Sequence, residues 1–443
     1  MNMARTYSNR ARIALGTAVL LAAMLVAPPA TLPAAPDLPE CVSQERLQRI
    51  HEMVERTISA RDYSGAVTLV ARNGHIVHFE AQGLMDVDGH KPMMKDSVFR
   101  LASMSKVVTA VAVLILVEEG RVRLTDPVSR FIPEFNDMKV AVPDPGSTPG
   151  AAAPKYTLVP ATRAITVRDL LTHSSGLGSG PISLAEMAKE PQKPNEDLAA
   201  VVAHLAHFPL DFQPGSRWAY SGLAGFDTLG RIVEVASGMN LEKFLAERIY
   251  RPLGMTATTF APSASHRARM VTLYTRTDEG LVKASNQDLL IDPVCFHGAG
   301  GLVGTAEDYY RFAQMLANQG EFNGRRILSP RMVEMLGSAQ LPADFPGLFQ
   351  GQGWGLGVRY ITDGPATGTL LSTGSFGWSG AWGTHFWIDP AQKLVAIFMA
   401  NATTAGGAGA VSARDFETAV MQSLTTLYGP SEVHSGNSGS LYP

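Results

Sequence analysis

The sequence predicts an α/β chain of the α+β kind: an antiparallel β-sheet flanked by helices, built from both chain ends, with a mainly helical domain inserted between them. Three observations predict it. Strand-like runs gather before residue 100 and again after about Asp292, the stretch between them carries helix signals, and each end adds a helix able to cover a sheet face. The expected boundaries are 36–100 and 291–428 for the sheet domain and 101–290 for the helical domain. An export signal is expected at 1–35 and a disordered tail at 429–443.

Taken in order, Arg5, Arg10 and Arg12 precede an uncharged apolar run from Ile13 to Val26, and small residues such as Ala30, Ala34 and Ala35 follow, the pattern of a secretory signal. That run is too short for a confident membrane span, so an exported, periplasmic or secreted protein is expected, with no stable span after cleavage. Leu47, Ile50, Val54 and Ile58 mark one face of a helix starting near Ser43. Ala66 to Ala71 and His75 to Ala81 read as strands joined by the turn signal Asn73-Gly74. Val142 to Pro160, rich in Pro, Gly, Ala and Ser, reads as an exposed loop. Thr166 with Asp169, and Thr305 with Asp308, have the capping-box form and open helices. Helices are also expected near 195–207, 223–237 and 240–249. Strands are expected at 355–361, 384–388 and 394–399, the last two joined through Asp389-Pro390, and Ser412 to Asp415 caps a last helix carrying Phe416 and Val420.

A formal charge of −3 gives no electrostatic reason to expect a nucleic-acid partner. Cys41 and Cys295 could bridge in an oxidising compartment, but neither has C-x-x-C or zinc-type spacing and there is no H-E-x-x-H. No metal and no cofactor is expected. Asn401-Ala402-Thr403 is a glycosylation sequon in form and is assigned no role.

The chemistry-bearing stretch is Phe99 to Gly120. Its Ser103-Met104-Ser105-Lys106 is the one Ser-x-x-Lys of the chain, and from Val107 to Val117 almost every residue is apolar, the pattern of a helix buried on nearly all sides. Residues three apart share a helix face, so the Lys106 ammonium can lie beside the Ser103 oxygen at the first turn. A serine hydroxyl needs a group to take its proton, and free N–H groups at a helix start can hold an oxyanion. Further on come Trp218-Ala219-Tyr220-Ser221-Gly222, before a helix, and Gly377-Trp378-Ser379-Gly380-Ala381, entering a strand. A phenol with its oxygen near cations can act as base and then acid. Ser and Lys are common residues, and each motif alone is equally compatible with a helix cap, a packed tyrosine or a turn.

Together and in this order the three motifs resemble the serine β-lactamase and penicillin-binding-protein superfamily, in which Ser-x-x-Lys is a catalytic signature. The chain is most similar to the class C branch, with its β-lactamases, D,D-peptidases and related carboxylesterases. The resemblance runs from about Leu47 to Leu427 and includes RLASMSKVVTAVAVLILVEEGRVRLTDPVSRFIPEF, ITVRDLLTHSSGLG, GAGGLVGTAEDYYRFAQML and GQGWGLGV. It implies a β-lactamase/D,D-peptidase-like fold, Ser103 as acylated nucleophile, Lys106 as its proton-relay partner and Tyr220, first residue of the family's Tyr-x-Asn motif, as general base. The backbone N–H groups of Ser103 and Ala381 would form the oxyanion hole. Trp378-Ser379-Gly380 aligns with the Lys-Thr-Gly motif and, with Ser221 and Gly222, would contact substrate. No cofactor is implied.

Two positions depart from the pattern. Gly222 stands where the lactamases carry Asn, and Trp378 where they carry Lys or His, so an amide and a cation are missing. Both changes favour a less charged acyl substrate, and the resembling esterases have similar Trp-x-Gly motifs. Hydrolysis of small carboxylic esters is therefore expected. The alternatives are a D,D-peptidase or β-lactamase acting on cell-wall-type amides, and a non-catalytic scaffold. An α/β-hydrolase would need G-x-S-x-G, which is absent. His173 and His297 read as structural or cleft-lining.

Overall fold

Asn73 and Gly74 both have positive φ, +52° and +80°, which a tight two-residue hairpin turn requires. Their hairpin starts the main sheet in a computed structural model that describes residues 41–146, 155–288 and 290–428. The expected signal at 1–35 and the expected tail at 429–443 lie outside the described residues. The sheet has eight strands: β1 (Gly65–Arg72), β2 (His75–Asp86), β3 (Lys91–Pro92), β4 (Gln352–Trp354), β5 (Arg359–Ile361), β6 (Phe376–Ser379), β7 (His385–Asp389) and β8 (Leu394–Ala400). Their spatial order is β4-β5-β6-β7-β8-β1-β2-β3, and every neighbouring pair is antiparallel. The two chain ends meet at the β1–β8 pair, with Ala66 opposite Ala400 and Arg72 opposite Leu394. The sheet is thus built from both ends, as the pattern of strand signals requires.

Five helices matter for the site: α1 (Gln44–Ser59), α2 (Ser105–Glu118), α3 (Ala224–Ser237), α4 (Ala306–Ala317) and α5 (Val411–Met421). Alternation along the strands sends side chains to two cores. On one face Ile50, Val54, Phe416 and Val420 from α1 and α5 pack with Val70, Trp387 and Phe398. On the other, Val67, Leu69, Phe386 and Ile397 share a core with α2, α3 and α4. Twelve consecutive residues of α2, Ser105 to Leu116, are buried, so this helix is walled in on every side. Truncating Leu114 to alanine there would cost about 2–5 kcal/mol.

Local signals held in part. Thr166 and Asp169 form the reciprocal capping box. Thr305 caps α4, but Asp308 does not reach back, because its carboxylate accepts from Ala257 N at 2.7 Å and Thr258 Oγ1 at 3.0 Å instead. Helix α5 begins at Val411 without a side-chain cap, so Ser412 lies inside it. The 142–160 stretch, expected to be a loop, contributes to a hairpin, Lys139–Pro143 with Tyr156–Pro160, whose Val140, Thr157 and Val159 suit a strand while Pro143 and Pro160 stand at the strand ends. A second hairpin, Tyr274–Thr277 with Gly280–Lys283, also falls within the helical part. Cys41 and Cys295 are free thiols. Asn401 is buried, and its amide pairs both ways with the backbone of Arg100. No helix among the described residues is long and apolar enough to cross a membrane.

Candidate active site

The turn Ala102–Met104 leads directly into α2. Ala102 has φ +47°, a left-handed conformation costing a non-glycine residue roughly 1–2 kcal/mol, so its surroundings must hold it. Leu101 N donates to Leu302 O at 2.9 Å, and Thr384 Oγ1 donates to Leu101 O at 3.0 Å. The half-buried Ser103 is thereby set at the head of a buried helix.

Lys106 lies one turn on and is wholly buried. Its Nζ donates to Ser103 Oγ at 3.1 Å, to Gly222 O at 2.6 Å and to Ala299 O at 2.8 Å. An ammonium has three hydrogens, and these three oxygens account for all of them. The lysine therefore needs no carboxylate partner in this arrangement. It holds the serine oxygen by donation.

Tyr220 adjoins the same lysine. Lys106 Nζ lies 5.2 Å from the centre of its ring, and the Tyr220 oxygen accepts a hydrogen bond from Trp378 Nε1 at 3.2 Å. The phenol thus has an ammonium over its ring and an indole N–H on its oxygen. Trp378 and Trp354 meet edge-on, ring centres 4.7 Å apart, and Trp218 lies 5.2 Å from Trp354. Trp218, Phe349, Trp354 and Trp378 line a cavity of about 170 Å³ that also reaches Arg359 and Arg414.

Gly380 is present for close approach. A Cβ there would clash with Thr384 Oγ1 and Leu101 O and lie 3.1 Å from Ala102 Cβ, so only glycine lets the turn after β6 press against the Ser103 turn. Ala381 follows it, exposed at this contact. Two of the expected substrate contacts are placed elsewhere. Successive residues of a strand face opposite ways. With Trp378 turned to Tyr220, Ser379 faces away, where its Oγ shares a 2.7 Å hydrogen bond with His385 Nδ1. Ser221 is also buried, its Oγ donating to Leu177 O at 2.7 Å and accepting from Gly225 N at 2.9 Å. Both hydroxyls are committed to the fold, a correction to their reading as substrate-binding groups. Gly222 offers its carbonyl to Lys106, and a Cβ on it would meet no atom within 4 Å.

A profile of the β-lactamase family matches residues 49–419. The chain belongs to the β-lactamase family. An uncharacterized protein of Mycobacterium tuberculosis is 37% identical over 354 residues, 76% of this chain and 85% of its own length. Esterase EstB of Burkholderia gladioli is 29% identical over 386 residues, 82% of this chain and 92% of its own. Among solved structures, EstCE1, described as a hydrolase with promiscuous acyltransferase activity, superposes with a TM-score of 0.71 at 23% identity, covering 85% of this chain and 99% of that one. That last likeness is one of fold.

Behind the site of this β-lactamase-family hydrolase lie two buried charged clusters that the sequence reading missed. Beside Lys106, Asp227 Oδ1 accepts from Ala299 N at 3.0 Å and Oδ2 lies 2.9 Å from His297 Nδ1, so the residue offering its carbonyl to the lysine is held at its own N–H by one member of an ion pair. Burial works against charge on His297, but Asp227's charge and hydrogen bond push its pKa up to about 11. Behind β6, His385 Nε2 lies 3.2 Å from Glu417 Oε1, which also accepts from Arg359 Nη2 at 2.8 Å. Burial would raise the Glu417 carboxyl, yet His385 and Arg359 lower it to about 2. Ser379, His385 and Glu417 have the outline of a nucleophile–base–acid triad, but they are only 2–3% exposed, out of a substrate's reach. Gly222 and Ala299 act through carbonyls, which no residue type signals. Trp354, by contrast, stood in the quoted GQGWGLGV text.

Proposed function

We propose that this chain hydrolyses small carboxylic esters through an acyl-enzyme on Ser103. The observation that carries the proposal is the 3.1 Å contact from Lys106 Nζ to Ser103 Oγ, next to a Tyr220 whose oxygen takes the Trp378 N–H. Tyr220, as phenolate, accepts the Ser103 proton while Oγ bonds to the ester carbon. The N–H groups of Ser103 and Ala381 receive the resulting oxyanion. As the tetrahedral intermediate collapses, the carbon–alkoxide bond breaks and Tyr220 returns the proton to the departing alcohol. Water then repeats the sequence, giving up a proton to Tyr220 as it attacks, and the acid is released with Ser103 restored.

Ester over lactam or peptide rests on position 378. An indole there spends its one N–H on Tyr220 and puts no cation at that position for a substrate carboxylate; of the two arginines that reach the neighbouring cavity, Arg359 is paired with Glu417. The rings of Trp354 and Trp378 against Tyr220 give an apolar surface suited to an uncharged acyl or alcohol group, and the relative EstB is an esterase by name. The test is p-nitrophenyl acetate and butyrate assayed beside a chromogenic cephalosporin. We expect kcat/KM for the esters to exceed that for the cephalosporin by about 100-fold, the factor expected of roughly 3 kcal/mol of differential transition-state binding. Faster cephalosporin turnover would favour the lactamase reading, and failure of a fluorophosphonate to label the folded protein would favour a scaffold.

A further inference from the structure

His173 occupies a costly backbone conformation that its cap position does not explain. It follows the short helix Val167–Leu171 and its cap Thr172 with φ +54°, a place where glycine or asparagine would serve at less cost. Its ring is wholly buried. Both of its acceptors go to the residues flanking Tyr220: Ala219 N donates to His173 O at 3.0 Å, and Ser221 N donates to His173 Nδ1 at 3.0 Å. The imidazole also packs on the Tyr220 ring, centre to centre 4.6 Å.

We propose that His173 is the positioning residue for Tyr220, clamping the backbone on both sides of it and bracing its ring so that the phenol keeps its place beside Lys106 and its bond to Trp378. The proposal rests on the reading of Tyr220 as the base. An imidazole can accept at Nδ1 only while neutral, with its proton on Nε2. Burial, and then the charge of Lys106, hold the His173 pKa well below its usual value, which favours the neutral ring that accepts from Ser221. Nε2 has no nitrogen or oxygen partner among the described residues. It sits among aromatic rings, with Trp354 edge-on at 5.0 Å, where an N–H can lie against a π face. A solvated or purely structural turn would gain nothing from such a side chain.

The test compares His173→Gly with His173→Asn. Both residues tolerate positive φ, and asparagine's Oδ1 occupies the place of Nδ1 as acceptor for the Ser221 N–H. With p-nitrophenyl butyrate we expect the glycine variant to lose about 100-fold in kcat with KM within about threefold, the size of loss that a small misplacement of a reacting group causes. The asparagine variant should recover most of it, and His173→Gly should add little to Tyr220→Phe. Should the glycine variant not fold, His173→Leu takes its place in the comparison. If Tyr220→Phe abolishes turnover while folded His173→Gly or His173→Leu keeps kcat, or if the losses add in the double variant, the positioning role is overturned and the base reading survives. If Tyr220→Phe is fully active, the base reading falls and this proposal falls with it.

Discussion

Lys106 and Tyr220 are neighbours held by different means. Around the lysine are three oxygens, two of them backbone carbonyls. Around the tyrosine are side chains: the Trp378 indole and the rings of His173 and Trp354. A shell made of main chain survives most substitutions, whereas one made of side chains is open to change at each position. The comparison teaches that the surroundings of the lysine are fixed by the fold, and that those of the tyrosine can be retuned residue by residue.

Breaking the lysine shell should have the larger effect. Lys106→Met is expected to lower kcat for p-nitrophenyl butyrate by about 10³-fold. It should also destabilise the protein by roughly 1–3 kcal/mol, because two buried carbonyls lose their donor; steady-state kinetics and thermal melts measure both. Activity within tenfold of the parent would remove the ammonium from the account. On the tyrosine side, Trp378→Phe keeps a ring but deletes the N–H. A kcat loss of roughly ten- to hundredfold at nearly constant KM is expected, since a hydrogen bond to a charged oxygen contributes about 1.5–3 kcal/mol. A change confined to KM would make Trp378 a substrate contact only.

The two buried charged clusters sharpen the same contrast through pH. His297, beside the lysine shell, has its folded pKa raised to about 11, so its contribution to stability is complete below its unfolded value of 6.5 and is lost as pH rises through about 11. Glu417, behind β6, is lowered to about 2, so its contribution is present above 4.5 and is lost as pH falls through about 2. Melting temperatures across pH should therefore show Asp227→Asn flattening the alkaline limb and Glu417→Gln the acid limb. The reverse assignment would contradict the pairing described. The smallest effect is expected at Gly222→Ala, where only the carbonyl is used and a Cβ meets nothing. Its kcat/KM should stay within about twofold, as for surface changes of under 0.5 kcal/mol; a steep loss would mean that substrate fills that space.

Much of this was legible in the sequence because it is written in residue types. Asn73-Gly74 fixes a hairpin through φ, the apolar run after Lys106 requires a buried helix, and Lys106, Tyr220 and Trp378 of three separated motifs are neighbours. The misreadings have physical causes. Trp378, Ser379 and Gly380 were read as one substrate-binding unit, although the pleat of a strand turns adjacent side chains apart and sends Ser379 to His385. The carbonyls of Gly222 and Ala299 carry no side-chain signature. His385 and Glu417, from a strand and a helix far apart in the chain, become a pair only once α5 covers β7.

The most direct test of the central claim is the intact mass of the protein after reaction with a fluorophosphonate or a slowly turning-over ester, comparing the parent with Ser103→Ala, Ser105→Ala and Ser379→Ala. One adduct is expected on the parent and on the Ser105→Ala and Ser379→Ala variants, whose hydroxyls are buried in the fold, and none on Ser103→Ala. An undiminished adduct on Ser103→Ala would contradict the account and move the nucleophile elsewhere.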